Sequence, residues 1–179
     1  SITLGVGQFC TNPGLIIGIE GQELQHFIQV LGETIKDVAP GTMLHMGIFK
    51  NYVERRGNAL SQEDVETIAV SVKDPHLNEA APTVASTTGQ AFLNNPVLHQ
   101  EVFGPYSLVV RCKDTAEMVE VTKHLEGQLT ATLMATADDI NQNGELMEEV
   151  KNICGRFIVN NVPTGVEVCL SMQHGGPFP

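Results

Sequence analysis

Apolar residues recur at three- and four-residue steps early in the chain, at Leu24, Phe27, Ile28, Leu31, Ile35 and Val38, and this single stripe predicts a helix between Gly21 and Pro40. From Asn51 to Val72 charge mixes with weaker periodicity, which predicts one or two short helices, and Pro75 to Pro82 reads as loop. The β-branched run Tyr106–Cys112 has strand length and composition. Asp114 follows where it can cap a helix reaching His124, with Glu117 placed to cap back. Beyond it come a strand from Leu129 to Ala135, a helix from Asp139 to Ile153 and a strand from Arg156 to Val162. Strands alternating with helices imply parallel crossovers, so the expected fold is α/β, a three-layer αβα sandwich with a mostly parallel sheet in which these three strands are neighbours. The loop around Cys10 and the last segment are expected to meet at one edge of that sheet, where open α/β folds place ligands.

The length of 179 residues suits one well-filled domain. No apolar run approaches the roughly 18 residues of a membrane span, which argues against a membrane role. A formal charge of −11 with only ten Lys and Arg argues against binding a phosphate backbone, so no nucleic-acid partner is expected. The four cysteines, Cys10, Cys112, Cys154 and Cys169, lack CxxC spacing and the density of a disulfide scaffold, and no signal peptide precedes them. A reducing, cytoplasmic setting is the expectation. The chain opens on Ser1 and closes on Gly175-Gly176-Pro177-Phe178-Pro179, so both ends read as cut and a piece of a larger protein is expected.

Chemistry-bearing residues are few. The six histidines, His26, His45, His76, His99, His124 and His174, show no metal-ligand spacing, and Cys154, Cys169 and His174 lack a fourth ligand, so no metal is expected. In Gly7-Gln8-Phe9-Cys10-Thr11-Asn12-Pro13-Gly14, small and polar neighbours leave the Cys10 thiol open to a substrate. A thiolate there can act as nucleophile, while a buried, inert small hydrophobe is the alternative. Glu101 and Phe103 lie in Glu-Val-Phe-Gly-Pro, where a carboxylate can take two adjacent hydroxyl donors, or can simply be a solvated acid before a turn with Phe103 as core. Asn160 and Asn161 end the last predicted strand and suit a satisfied turn. Arg55, Arg56, Arg111 and Arg156 could each pair with a substrate carboxylate, but spacing selects none of them and surface exposure is expected for all four.

Taken in order, Gly7-Gln8-Phe9-Cys10, Glu101-Val102-Phe103-Gly104-Pro105 and Gly155-Arg156-Phe157-Ile158-Val159-Asn160-Asn161 resemble the catalytic domain of the aldehyde dehydrogenase superfamily. The resemblance covers nearly the whole chain. It implies that Cys10 attacks an aldehyde carbon, with its own backbone N–H helping to hold the oxyanion. Hydride then passes to NAD or NADP and water releases the acid. It further implies that Glu101 binds the nicotinamide ribose, that Phe103 packs near the nicotinamide, and that Asn160 and Asn161 lie beside the substrate tunnel. The stretches Val166–Cys169 and Met172–Pro179 look most like the branch oxidising 2-oxoglutarate semialdehyde, close to bacterial NADP-dependent fatty aldehyde enzymes. The superfamily's Glu-Leu-Gly-Gly-Lys base segment, its Gly-rich dinucleotide-binding domain and an oxyanion asparagine have no counterpart in these residues. The isolated chain is therefore expected to be inactive, and the intact enzyme to be a homo-oligomer. A cofactor-independent thiol hydrolase and a non-catalytic α/β module remain the rival readings.

Overall fold

The computed structural model describes residues 1–162, 170 and 175–177. A short 3-10 turn, Leu4–Gly7, leads into β1 (Leu15–Ile19), α1 (Gln22–Asp37), β2 (Gly41–Thr42) and α2 (Met46–Leu60). Then come β3 (Glu66–Val70), β4 (Glu79–Ala80), β5 (Thr83–Thr88), α3 (Gly89–Asn94), a second 3-10 turn (Pro96–His99) and β6 (Tyr106–Cys112). The described chain continues through α4 (Thr115–Lys123), β7 (Gln128–Leu133), α5 (Ala137–Gln142), α6 (Gly144–Asn152) and β8 (Cys154–Val159).

A four-stranded sheet in the order β1-β6-β5-β3 forms the centre, parallel across β1, β6 and β5 and antiparallel at β3. Period-two alternation sends successive residues to opposite faces. Val84, Val109 and Ile16 meet Leu24, Ile28, Leu31 and Ile35 of α1 on one side, while Ala85, Leu108, Val110, Leu15 and Ile17 meet Tyr52, Phe92 and Val121 on the other. Helices therefore cover both faces of a mostly parallel α/β sheet, as the alternation of elements predicts.

The neighbour relation of the three predicted strands needs correction. β6 lies in the central sheet, but β7 and β8 pair only with each other, in a separate two-stranded parallel sheet. β6 is already flanked by β1 and β5, so no free edge of β6 remains for β7. The predicted helix Asp139–Ile153 is likewise split into α5 and α6 at Asn143, and the stretch from Asn51 to Val72 holds the end of α2 followed by strand β3. The loop Pro75–Pro82 contains the short strand β4, which pairs with β2.

Candidate active site

Parallel pairing brings the first two motifs together. β1 and β6 run side by side with Leu15 opposite Leu108, so the segments that enter the two strands also run side by side. Those segments are the Cys10 loop and Glu101–Pro105. The Leu108 N–H donates to the Gly14 carbonyl at 2.9 Å, and the Ser107 hydroxyl donates to the Pro13 carbonyl. One step further out, the Asn12 side-chain amide donates to the Gly104 carbonyl at 3.2 Å. Gly7 presses on the same carbonyl so closely that a Cβ on it would stand 2.2 Å from the Gly104 oxygen. The Cys10 loop thus lies at the amino ends of β1 and β6, the opposite end from that where open α/β sheets usually take ligands. The segment expected to meet it there, the end of the chain, falls largely outside the described residues.

Local backbone chemistry shapes the Cys10 loop. Gly5, Val6 and Gly7 all adopt left-handed φ, at 53°, 59° and 65°. Two glycines take this conformation without strain, but a β-branched residue does not. Val6 holds it because its side chain packs into the larger core and against the bare Gly41, where a Cβ would meet Val6 Cγ2 at 2.5 Å. Gln8 locks the next step: its Nε2 donates to the Gly5 carbonyl at 3.2 Å and its Oε1 accepts from Leu44 N–H at 2.8 Å. Phe9 to Asn12 then form a tight turn, closed by Asn12 N–H on the Phe9 carbonyl at 3.1 Å, with Cys10 and Thr11 at its tip. Cys10 is exposed, whereas Cys112 and Cys154 are buried. Burial pushes the Cys112 thiol up to about 12 and raises that of Cys154, so neither is a thiolate near neutral pH.

The Glu101 loop is supported from below by α2 and α3. Gly104 has φ 146°, and a Cβ there would come within 2.4 Å of the Tyr52 ring. Tyr52 is itself anchored, donating its hydroxyl to the Ala81 carbonyl at 2.7 Å beneath the Arg56 guanidinium, which lies 5.2 Å from the ring centroid. Burial raises the Tyr52 hydroxyl above its usual range despite the neighbouring Arg56 cation, and pushes Tyr106 up to about 12. Arg55 donates to the Gln100 side chain, and the His99 ring stacks on Phe92 at 4.3 Å with Nε2 on the Phe92 carbonyl at 2.7 Å. Glu101 is left exposed at the end of these supports, with Phe103 half-buried two residues on.

The other candidates fall elsewhere. Asn160, at φ 52°, uses its amide to bridge both backbone groups of Ala135, donating to the carbonyl and accepting from the N–H at 2.9 Å each. Its own N–H donates to Leu133, so it closes the β7–β8 pair. The Asn161 side chain accepts from Val162 N–H at 2.8 Å. Of the four arginines only Arg55 is exposed; Arg56, Arg111 and Arg156 are half-buried, and Arg111 pairs with Glu20 at 3.6 Å. Cys169 and His174 lie outside the described residues, as do most of the stretches Val166–Cys169 and Met172–Pro179. Among the described residues no cluster of His, Cys, Asp and Glu is placed to hold a metal ion, and no helix is long and apolar enough to cross a membrane. Asn12 and Tyr52 carry the site's geometry without having been singled out by sequence; the Asn12-Pro13 pair, a turn signal beside a cysteine, was the available clue.

No model of a protein family matches the chain. Over its full length it is 44% identical to alpha-ketoglutaric semialdehyde dehydrogenase 2 of Azospirillum brasilense and 38% identical to alpha-ketoglutaric semialdehyde dehydrogenase of Acinetobacter baylyi, covering 34% of each. This is an aldehyde dehydrogenase-like chain. It spans about one third of the length of those curated relatives. The fold agrees. Aldehyde dehydrogenase 21 of Physcomitrella patens, solved in complex with the reaction product succinate, superposes with a TM-score of 0.71 over 98% of the chain and 36% of that structure, at 18% identity. The aldehyde dehydrogenase-like chain therefore carries the central sheet on which its first two motifs converge.

Proposed function

We propose that the full-length protein carrying this chain oxidises an aldehyde to a carboxylic acid with NAD or NADP, through a covalent acyl group on Cys10. The observation that carries the reading is the seating of the exposed Cys10 turn on Gly104, directly after Glu101 and Phe103. In this mechanism the Cys10 thiolate adds to the aldehyde carbon, forming the S–C bond and moving the carbonyl electron pair onto oxygen, where backbone N–H groups of the turn stabilise it.

The Glu101 end fits a dinucleotide by the chemistry of its groups. An exposed carboxylate that no described residue engages can accept from two ribose hydroxyls, and the half-buried Phe103 offers an apolar face beside it. When bound there, the dinucleotide supplies the hydride acceptor that turns the thiohemiacetal into a thioester. The Cys10 sulfur then leaves as water adds to the acyl carbon, which regenerates the thiolate. The identity to the two semialdehyde dehydrogenases supports 2-oxoglutarate semialdehyde as the substrate.

The test is a single-turnover burst of reduced cofactor in the full-length protein. Cys10→Ala should abolish the burst, and Glu101→Gln should slow it by about tenfold to a hundredfold through misorientation of the cofactor. A Cys10→Ala protein that keeps most of its activity refutes the mechanism. A kcat/KM no higher for 2-oxoglutarate semialdehyde than for an unsubstituted aliphatic aldehyde refutes the substrate alone.

A further inference from the structure

Asn12 is bonded at both of its ends. Its backbone N–H closes the Phe9–Asn12 turn that presents Cys10, and its side-chain amide reaches across to the Gly104 carbonyl, which belongs to the segment bearing Glu101 and Phe103. That carbonyl does not need the amide, because it already accepts from Tyr106 N–H at 2.8 Å. The amide oxygen of Asn12 is meanwhile buried without a hydrogen-bond partner among the described residues, which counts against folding. An apolar side chain would avoid that penalty. What the amide supplies is a fixed distance between the two halves of the site.

We propose that Asn12 is a positioning residue that couples the nucleophile turn to the cofactor-binding loop, so that a dinucleotide seated on Glu101 sets the orientation of Cys10. This deepens the dehydrogenase reading and rests on it. Gly104 cannot yield on its other side, since the Tyr52 ring stands where its Cβ would be, and Gly7 abuts the same carbonyl. Displacement of the Glu101 loop is therefore passed to the Cys10 turn through the Asn12 amide.

The experiment uses the full-length protein and reads the rate at which iodoacetamide alkylates Cys10, the thiolate displacing iodide, with and without saturating cofactor. It reads kcat and KM for the cofactor alongside. Two variants are compared: Asn12→Ala removes the side chain, and Asn12→Asp keeps its shape but cannot donate. Wild type should change its alkylation rate when cofactor binds. In both variants that response should fall to within about twofold of none and kcat should drop roughly tenfold to a hundredfold, while KM for the cofactor stays within about threefold. An Asn12→Asp protein that keeps the response and kcat overturns the coupling while leaving the dehydrogenase reading intact, as does a cofactor KM that rises in step with the fall in kcat in both variants, the mark of a merely structural role. A wild-type protein showing neither turnover nor a cofactor response overturns both.

Discussion

Gly7 and Gly104 meet backbone to backbone, and neither position has room for a methyl group. Gly7→Ala adds a left-handed strain of about 1–2 kcal/mol to the cost of moving a carbonyl it would overlap, so urea unfolding should show a loss of about 2–4 kcal/mol. Cys10 alkylation should change in the same variant, because the turn is displaced with it. A second residue-scale prediction concerns Cys112, whose thiol is pushed from 9.0 up to about 12 by burial. The folded state keeps that proton over a pH range in which the unfolded chain has lost it, so the stability linked to it is complete below pH 9 and is lost as pH rises toward 12. Tyr106, raised from 10.0 to about 12, adds to the decline only above pH 10. Stability measured between pH 9 and 10 should therefore fall in wild type and fall less steeply in Cys112→Val, where the raised Cys154 thiol still contributes; an unchanged slope would assign the decline to other groups. The Cys10 and Glu101 motifs stand out in the sequence as candidates because their residue types are specific. Their partners do not, because nothing local distinguishes a glycine that must touch another glycine from one that merely turns the chain.

Elements with a strong internal pattern were predictable, and those defined by their neighbours were not. The stripe from Leu24 to Ile35 gives α1 with its buried face on β3 and β5, and the run Tyr106–Cys112 is β6 to the residue. Asp114 caps α4 through the Glu117 N–H at 2.8 Å, and Glu117 caps back one residue earlier than expected, on Lys113 N–H at 2.7 Å. Asp114→Ala should cost about 1 kcal/mol in urea unfolding, with the loss largely recovered by Asp114→Ser. β5 escaped notice because Thr83–Thr88 is buried along nearly its whole length between β6 and β3, so it needs no apolar–polar alternation and shows none. Thr83, Ser86 and Thr87 give it a polar composition that only the surrounding sheet makes tolerable. The division of α5 from α6 falls at Asn143-Gly144, which interrupts the apolar spacing between Ile140 and Leu146. The Thr136–Asp139 capping box and the Asn143 amide on the Asp139 carbonyl close α5 as its own unit.

At the scale of the whole molecule, the central sheet is sandwiched between helices, while among the described residues the β7–β8 pair joins the rest chiefly through α6 against α4. Residues of β7 are half-buried throughout, against full burial along most of β5 and β6. Amide exchange in the full-length protein should accordingly be slower in β5 and β6 than in β7 and β8, and equal protection in both sheets would contradict this division. The 179-residue chain by itself is expected to reduce no cofactor when mixed with an aldehyde and NAD or NADP, since it matches only a third of the relatives' length; appearance of reduced-cofactor absorbance would place the missing groups within these residues. The amino-acid sequence by itself determined which faces of α1 and β6 are buried, and the α/β class, because residue type and periodicity are local properties. The tertiary structure alone decided that β6 pairs with β1 and β5 rather than with β7, and hence that Asn12 and Gly7 close on Gly104, because strand pairing joins residues far apart in the chain and its register leaves no trace in any one segment.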